Sequence, residues 1–203
     1  MLRRERQRRL SNSGPVNPDL VQTVILAAGR SSRMGFDKLT TPLAGIPLIR
    51  RVVAGLGPLR PILVGPAALA NLVGDLPVTI VLTGPTSGPA ATLRLADAAV
   101  PRERYLAVVL ADLPWLDAEA VSAFVQRVDA AADVSWPVVE GTPGHPVIWS
   151  PRARGRLGGS VDAAPGLLRE NAGLRTAALP SYDRRAIDDV DTPHAWRAAA
   201  SRF

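Results

Sequence analysis

Leu26-Ala27-Ala28-Gly29-Arg30-Ser31-Ser32-Arg33-Met34-Gly35-Phe36-Asp37-Lys38 decides how this chain is read. It follows Val21-Gln22-Thr23-Val24-Ile25, an apolar run with the character of a buried strand. A strand that runs into small residues, two arginines and a lysine suits a polyphosphate. Small side chains let backbone N–H groups approach phosphate oxygens, and the cations offset their charge. Two familiar phosphate loops are excluded by spacing. Gly29 and Gly35 bracket five residues and Lys38 does not directly follow the second glycine, so the P-loop pattern fails. The dinucleotide G-x-G-x-x-G pattern fails as well.

Working outward, strand-like apolar runs are expected at 21–28, 61–64, 78–82 and 105–111, with helix-like stretches at 47–57, 67–73, 89–100 and 117–130 between or after them. Strands that are apolar on both faces and alternate with helices predict an α/β fold with a parallel sheet covered on both sides. The rhythm changes after residue 131. Strands are expected at 134–139 and 146–149 around a turn-rich 140–144, then a helix near 166–171 and short strands at 176–179 and 186–189. Thr192-Pro193, a cap followed by a first-turn proline, opens a closing helix over 195–200.

At 203 residues, 47% hydrophobic and 21% charged, the composition is that of a globular domain. Residues 1–18 read as a disordered basic tail and 19–203 as one domain. Much of the net charge of +6 lies in Arg3, Arg4, Arg6, Arg8 and Arg9. No apolar or aromatic residues interleave those arginines, and Trp115, Trp136, Trp149 and Trp196 form no stripe, so no nucleic-acid partner is expected. The leader has no apolar h-region and no run is long enough to span a bilayer, which predicts no membrane association and a cytoplasmic location. Without cysteine, thiolate catalysis and zinc-thiolate sites are excluded.

Asp112 ends the fourth strand-like run in Ala111-Asp112-Leu113-Pro114. Ligands of open parallel sheets bind at the carboxyl ends of strands, so Asp112 and the loop after the first strand face one crevice. A carboxylate beside clustered cations there is a candidate Mg²⁺ ligand; the helix-cap role falls to Asp117, which stands closer to the next helix. Asp188-Asp189-Val190-Asp191 either compensates the charge of the closing helix's N-terminus or supplies a second carboxylate to the same metal. Arg33 and Lys38 are candidates for phosphate binding, Arg33 through two oxygens at once and Lys38 as a point charge. In Gly84-Pro85-Thr86-Ser87-Gly88-Pro89, Thr86 and Ser87, with Thr92 beyond, are candidates to hydrogen-bond a base or ribose. Gly144 and His145, before an apolar strand, form a candidate wall on the acceptor side.

The stretch 26–38 resembles the signature loop of nucleotidyltransferases of the molybdenum-cofactor guanylyl/cytidylyltransferase type. Thr41-Pro42-Leu43-Ala44-Gly45-Ile46-Pro47-Leu48-Ile49 resembles that family's short hairpin into its first helix. Ala111-Asp112-Leu113-Pro114 resembles its metal-aspartate motif, Gly141-Thr142-Pro143-Gly144-His145-Pro146-Val147-Ile148 the acceptor-side segment of its cytidylyl branch, and Asp189-Val190-Asp191-Thr192-Pro193 its closing motif. The resemblance implies a three-layer Rossmann-like nucleotidyltransferase fold that moves a nucleoside monophosphate from an NTP to a phosphorylated acceptor with Mg²⁺, releasing pyrophosphate. Carried over, Leu26, Ala27, Ala28 and Gly29 hold base and ribose. Arg33 and Lys38 hold the triphosphate, Asp112 binds Mg²⁺, and Asp191 is preferred to Asp189 as the second carboxylate. The implied acceptor is a molybdopterin-type cofactor, and the family admits a molybdoenzyme maturation partner.

Ala28 matches the cytidylyl branch, whereas the loop 84–91 is closer to the guanylyl branch. CTP is placed ahead of GTP. The segment 158–163 lacks the Gly-Asp pair of the cytidylyl branch, and His194-Ala195 replaces an acidic pair after the Thr-Pro cap. Two rival readings stand beside the transferase: a non-catalytic nucleotide-binding cofactor chaperone or regulatory module, and a sugar-phosphate nucleotidyltransferase.

Overall fold

The computed structural model describes residues 14–27, 35–84, 89–157 and 173–203. Its main sheet is built on β1 (Val21–Leu26), which pairs in parallel with β4 (Ile62–Gly65) on one side and β6 (Tyr105–Leu110) on the other. β5 (Thr79–Leu82) extends the β4 side in parallel. Beyond β6 the sheet becomes mixed. β9 (Val147–Trp149) runs antiparallel to both β6 and β7 (Val134–Val139), and β10 (Thr176–Ser181) is parallel to β7. The order is β10-β7-β9-β6-β1-β4-β5, with β8 (Thr142–Pro143) folded back onto β7. β2 (Pro42–Leu43) and β3 (Ile46–Pro47) form a separate hairpin. Its turn, Ala44-Gly45, has φ of 48° and 80°, the left-handed pair of a two-residue hairpin, where glycine avoids the steric cost.

Successive residues of the central strands point to opposite faces, and each face has its own core. Ile25, Leu63, Ala107 and Val109 pack with α1 (Leu48–Leu56), α2 (Ala67–Val73) and α4 (Ala118–Val125). Val24, Ile62, Val64, Leu106 and Val108 pack on the other side with Ala96 of α3 (Pro89–Ala99) and Ala153 of α5 (Pro151–Arg154). The closing helix α6 (Pro193–Ala200) joins the first of these layers through Ala199. This is the expected three-layer α/β arrangement with a mostly parallel sheet. Among the described residues no helix is long and apolar enough to cross a membrane.

Several boundaries differ from the sequence expectation. Residues 14–18, read as the end of a tail, belong to the packed body. Val16 is buried and donates its N–H to Val128 at 2.9 Å, and Ala130 donates to Gly14 at 3.1 Å. The helix expected over 117–130 ends at Val125, because 128–130 is drawn away to pair with this N-terminal segment. The strand expected at 186–189 does not form. Asp183 accepts from the N–H of Arg185 at 3.0 Å and starts a tight turn over Arg184–Ala186, and Asp188 donates back to Arg184 at 2.9 Å. These local bonds curl the backbone that an extended strand would need straight. The helix expected near 166–171 lies outside the described residues.

α3, α5 and β6 are tied by one guanidinium. Arg154 is 1% exposed, and its Nε donates to Asp97 Oδ1 at 2.6 Å. Nη1 donates to the carbonyls of Pro101 and Arg104 at 2.6 and 2.8 Å, and Nη2 to those of Asp97 and Val100 at 2.7 Å each. All five donors of the side chain are used, and the last carbonyls of α3, which lack intrahelical partners, are satisfied. Replacing Arg154 by Met takes the donor from these buried carbonyls and from Asp97 Oδ1, leaving Asp97 only its Oδ2 pair with Arg102 at 2.8 Å. We expect a loss of about 3–5 kcal/mol in urea unfolding; a loss under about 1 kcal/mol would show that the fold does not depend on this cation.

Candidate functional site

β1 and β6 lie side by side with Leu26 opposite Leu110, and Ala111 donates to Leu26 at 3.1 Å. The connections after both strands therefore leave from the same end of the sheet. The chain then moves to opposite sides, β4 beyond β1 on one flank and β9 beyond β6 on the other, which makes this end a topological switch point. Leu26 is half-buried and Ala27 buried, with the Ala27 N–H donating to Val64 at 2.9 Å. Ala28, Gly29, Arg33, Thr86 and Ser87 lie outside the described residues. Thr92, grouped with that last loop in the sequence, is fully buried in α3.

Lys38 is aimed inward by the turn that carries it. Asp37 accepts from Leu39 at 3.1 Å through its side chain, and from the N–H and hydroxyl of Thr41 at 3.1 and 2.7 Å through its carbonyl. Leu48 and Ile49 at the start of α1 then donate to Thr41 and Leu39. Lys38 is left 7% exposed, with its ammonium between two carboxylates. Nζ donates to Asp112 Oδ2 at 2.8 Å and also to Asp191 Oδ1. Burial works against the charged amine, and the two carboxylates more than offset it, so its pKa stands above the usual 10.5.

The carboxylates are brought together by the backbone. Val190, fully buried, donates its N–H to the carbonyl of Asp112 at 3.0 Å, which sets Asp191 beside the end of β6. Thr192 then caps α6 by accepting from Ala195 at 3.1 Å. Asp112 Oδ1 is buried and has no hydrogen-bond partner among the described residues. Asp189 has its carboxyl pKa raised, first by burial and then by the charges of Asp191 and Asp112, against the opposing pull of Lys38. Both readings of the acidic cluster thus meet in one place, with Asp191 the residue in contact with Lys38. No group of three or more His, Asp or Glu side chains among the described residues is arranged to hold a metal ion. A cation here would take two carboxylates from the protein and its other oxygens from substrate or water.

Gly144 and His145 sit against the same strand end. A Cβ on Gly144 would lie 2.6 Å from the carbonyl oxygen of Ala186 and 2.8 Å from Ile187, so only glycine fits. His145 donates its backbone N–H to Ala186 at 2.9 Å, and its Nδ1 lies 3.1 Å from the Val108 carbonyl on β6. A carbonyl can only accept, so Nδ1 carries the hydrogen and Nε2 is bare when the ring is neutral. Burial pushes the imidazole pKa below 6.5, and the Val108 carbonyl and the Asp112 charge only partly oppose it.

Two aromatic contacts that the sequence reading missed join residues near these motifs to the C-terminal part of the chain. Phe36, two residues before Lys38, meets Trp196 of α6 edge to face at 5.3 Å. Trp115, three residues after Asp112, stacks on Phe203 at 5.7 Å, with Arg202 over Trp115 and Arg51 over Phe203. Each aromatic stands next to a recognised motif, but its partner lies far along the chain.

For His145 the sign is fixed by its depressed pKa. The unfolded ring takes a proton near pH 6.5 while the folded ring resists it, so the stability this residue contributes is full above that pH and is lost as pH falls through it. NMR titration of the imidazole should place its midpoint below 6.5; a midpoint at or above that value would overturn the assignment.

Residues 23–177, more than half of the chain, match the family described as "MobA-like NTP transferase domain". A protein of Natronomonas pharaonis described as "Probable molybdenum cofactor guanylyltransferase" is 36% identical over 115 residues, covering 53% of this chain and 56% of that protein. One of Haloferax mediterranei with the same description is 35% identical over 128 residues, covering 59% and 60%. The match thus spans little more than half the length of these relatives. A Mycobacterium tuberculosis protein solved in complex with manganese shares the fold, with a TM-score of 0.68 at 22% identity over 91% of this chain and 100% of that one.

Proposed function

The chain belongs to the MobA-like NTP transferase family, and on that premise we propose that it transfers a nucleoside monophosphate from an NTP to a phosphorylated acceptor and releases pyrophosphate. The observation that carries the reading is the meeting of Lys38, Asp112 and Asp191 at the carboxyl end of the sheet. The sequence reading placed CTP ahead of GTP. That preference rested on Ala28 and on the likeness of 141–148 to the cytidylyl branch, whereas the loop 84–91 leaned the other way and the relatives carry a guanylyltransferase description. GTP therefore takes first place in the proposal, with a molybdopterin-type phosphate as acceptor.

The residues present suit a divalent cation. Hard carboxylate oxygens are its preferred protein ligands, and the buried Asp112 Oδ1, which has no hydrogen-bond partner among the described residues, offers lone pairs to it. Mg²⁺ is the proposed ion, and the manganese complex of the mycobacterial neighbour supports a divalent metal on this fold. When bound, the ion would offset charge on phosphate oxygens. Asp112 and Asp191 would hold it, and Lys38, with Arg33 entering from the sequence alone, would hold the triphosphate. The acceptor needs no general base, because a phosphate monoester has its second pKa at about 6 and is anionic near neutrality. Gly144 and His145 would shape the acceptor side, the neutral ring adding no charge to repel or attract that phosphate. The work of the protein is alignment and charge compensation.

Pyrophosphate release should be measured with each of the four NTPs, Mg²⁺ and molybdopterin. GTP should serve best, and Asp112→Asn should lower turnover about 100-fold or more while the protein stays folded. Equal turnover in Asp112→Asn would overturn the site, and a clear preference for CTP would overturn the base.

A further inference from the structure

In this structure Lys38 occupies the space in which Asp112 and Asp191 meet. Its Nζ is 2.8 Å from Asp112 Oδ2 and also contacts Asp191 Oδ1. A divalent cation bridging the same two carboxylates would sit at their oxygens, about 2.0–2.1 Å from each for Mg²⁺. The ammonium and such an ion compete for one position. Like charges a few ångströms apart in a half-dry site repel strongly.

We propose that Lys38 is an internal counter-ion that keeps free divalent metal out of the carboxylate pair, so that the metal is admitted together with the triphosphate. The inference rests on the reading of this crevice as an NTP and metal site. Charge bookkeeping favours it. With Lys38 in place, its ammonium already meets oxygens of Asp112 and Asp191. A divalent ion added alone sets a second cation against it and takes those two charged partners away. A buried ammonium that gives up charged partners does so at a cost. A triphosphate that arrives with the metal removes both penalties, because its oxygens both ligate the ion and receive the ammonium.

The local architecture permits the exchange without backbone movement. The turn around Lys38 is pinned by the Asp37 and Thr41 bonds and by α1, whereas the lysine stem has four rotatable carbons. Asp112 and Asp191 are pinned too, through the Val190 bond and the Thr192 cap. The side chain of Lys38 is therefore the movable part among fixed ones. Asp112 Oδ1, buried and with no hydrogen-bond partner among the described residues, is the ligand the incoming ion would find.

The test uses Mn²⁺ as probe on the full chain, read by electron paramagnetic resonance without nucleotide and again with GTP but no acceptor. Lys38→Met should bind Mn²⁺ alone at least 10-fold more tightly than the native chain, and Lys38→Arg, which keeps the charge, should stay near native affinity. GTP should raise Mn²⁺ affinity far more in the native chain than in Lys38→Met. A parallel thermal melt guards against misfolding, since Mn²⁺ should raise the melting temperature of Lys38→Met more than that of the native chain. Mn²⁺ binding by Lys38→Met no tighter than native would overturn the counter-ion role. The double variant Lys38→Met with Asp112→Asn separates the two claims. If it loses the gained affinity, the ion is held at Asp112. If it binds as tightly as Lys38→Met, the ion is held elsewhere and the metal-site reading falls as well.

Discussion

The hydrogen bond from the Val190 N–H to the carbonyl of Asp112 is the constraint on which the rest of the site depends. Asp112 is delivered by the central sheet, at the end of a strand paired on both sides. Asp191 arrives from a late, irregular segment that no sheet holds. One buried backbone bond, with the Val190 side chain sealed beneath it, converts that segment into the second wall of the crevice. Two carboxylates held this close repel, and the arrangement is tolerable only with a cation between them. Lys38 is that cation in the structure, and it is aimed by a turn whose own hydrogen bonds come from Asp37 and Thr41. Sheet, closing segment and lysine turn are thus coupled by charge as well as by packing.

The antiparallel insertion serves the same end of the molecule. A purely parallel sheet would place all its crossovers through helices and leave the flank of β6 to another parallel strand. Here β9 returns against β6, so the residues just before it, Gly144 and His145, meet the β6 end beside Asp112. The absence of a side chain at Gly144 lets the 186–187 backbone lie directly on this connection, and that contact leads the chain on to Val190 and Asp191. The aromatic pair Phe36–Trp196 joins the segment just before the lysine turn to α6.

Much of this was legible in the sequence, for definable reasons. Strands that are apolar on both faces announce themselves without help from partners, so β1, β4, β6 and β7 were readable within two residues. Lys38, Asp112 and Asp191 stand in motifs that resemble those of the family, and the structure brings the three side chains together. The curl at 184–188 was not readable, because Ala186-Ile187 has strand composition while the decisive bonds come from the Asp183 side chain and the Arg184 carbonyl. The placement of 14–18 was hidden by a composition rich in Gly, Pro and Asn, which says nothing about a single buried valine. Long-range pairings such as Phe36 with Trp196 leave no local trace. The base was not readable because the sequence signals divide, Ala28 and 141–148 leaning to the cytidylyl branch and the loop 84–91 to the guanylyl branch.

Two buried cations in this protein show how structure and function use the same chemistry differently. Arg154 spends five donors on five acceptors, four of them neutral carbonyls, and leaves nothing unmet. Such a cation is finished, and any exchange of its partners costs stability. Lys38 instead sits between the carboxylates of Asp112 and Asp191, and beside it Asp112 Oδ1 is buried with no hydrogen-bond partner among the described residues. An ion pair at the end of the central sheet, made by a flexible amine on a pinned turn, can exchange its partners at less cost than a guanidinium locked by five acceptors. That difference is what the proposed metal and triphosphate would draw on.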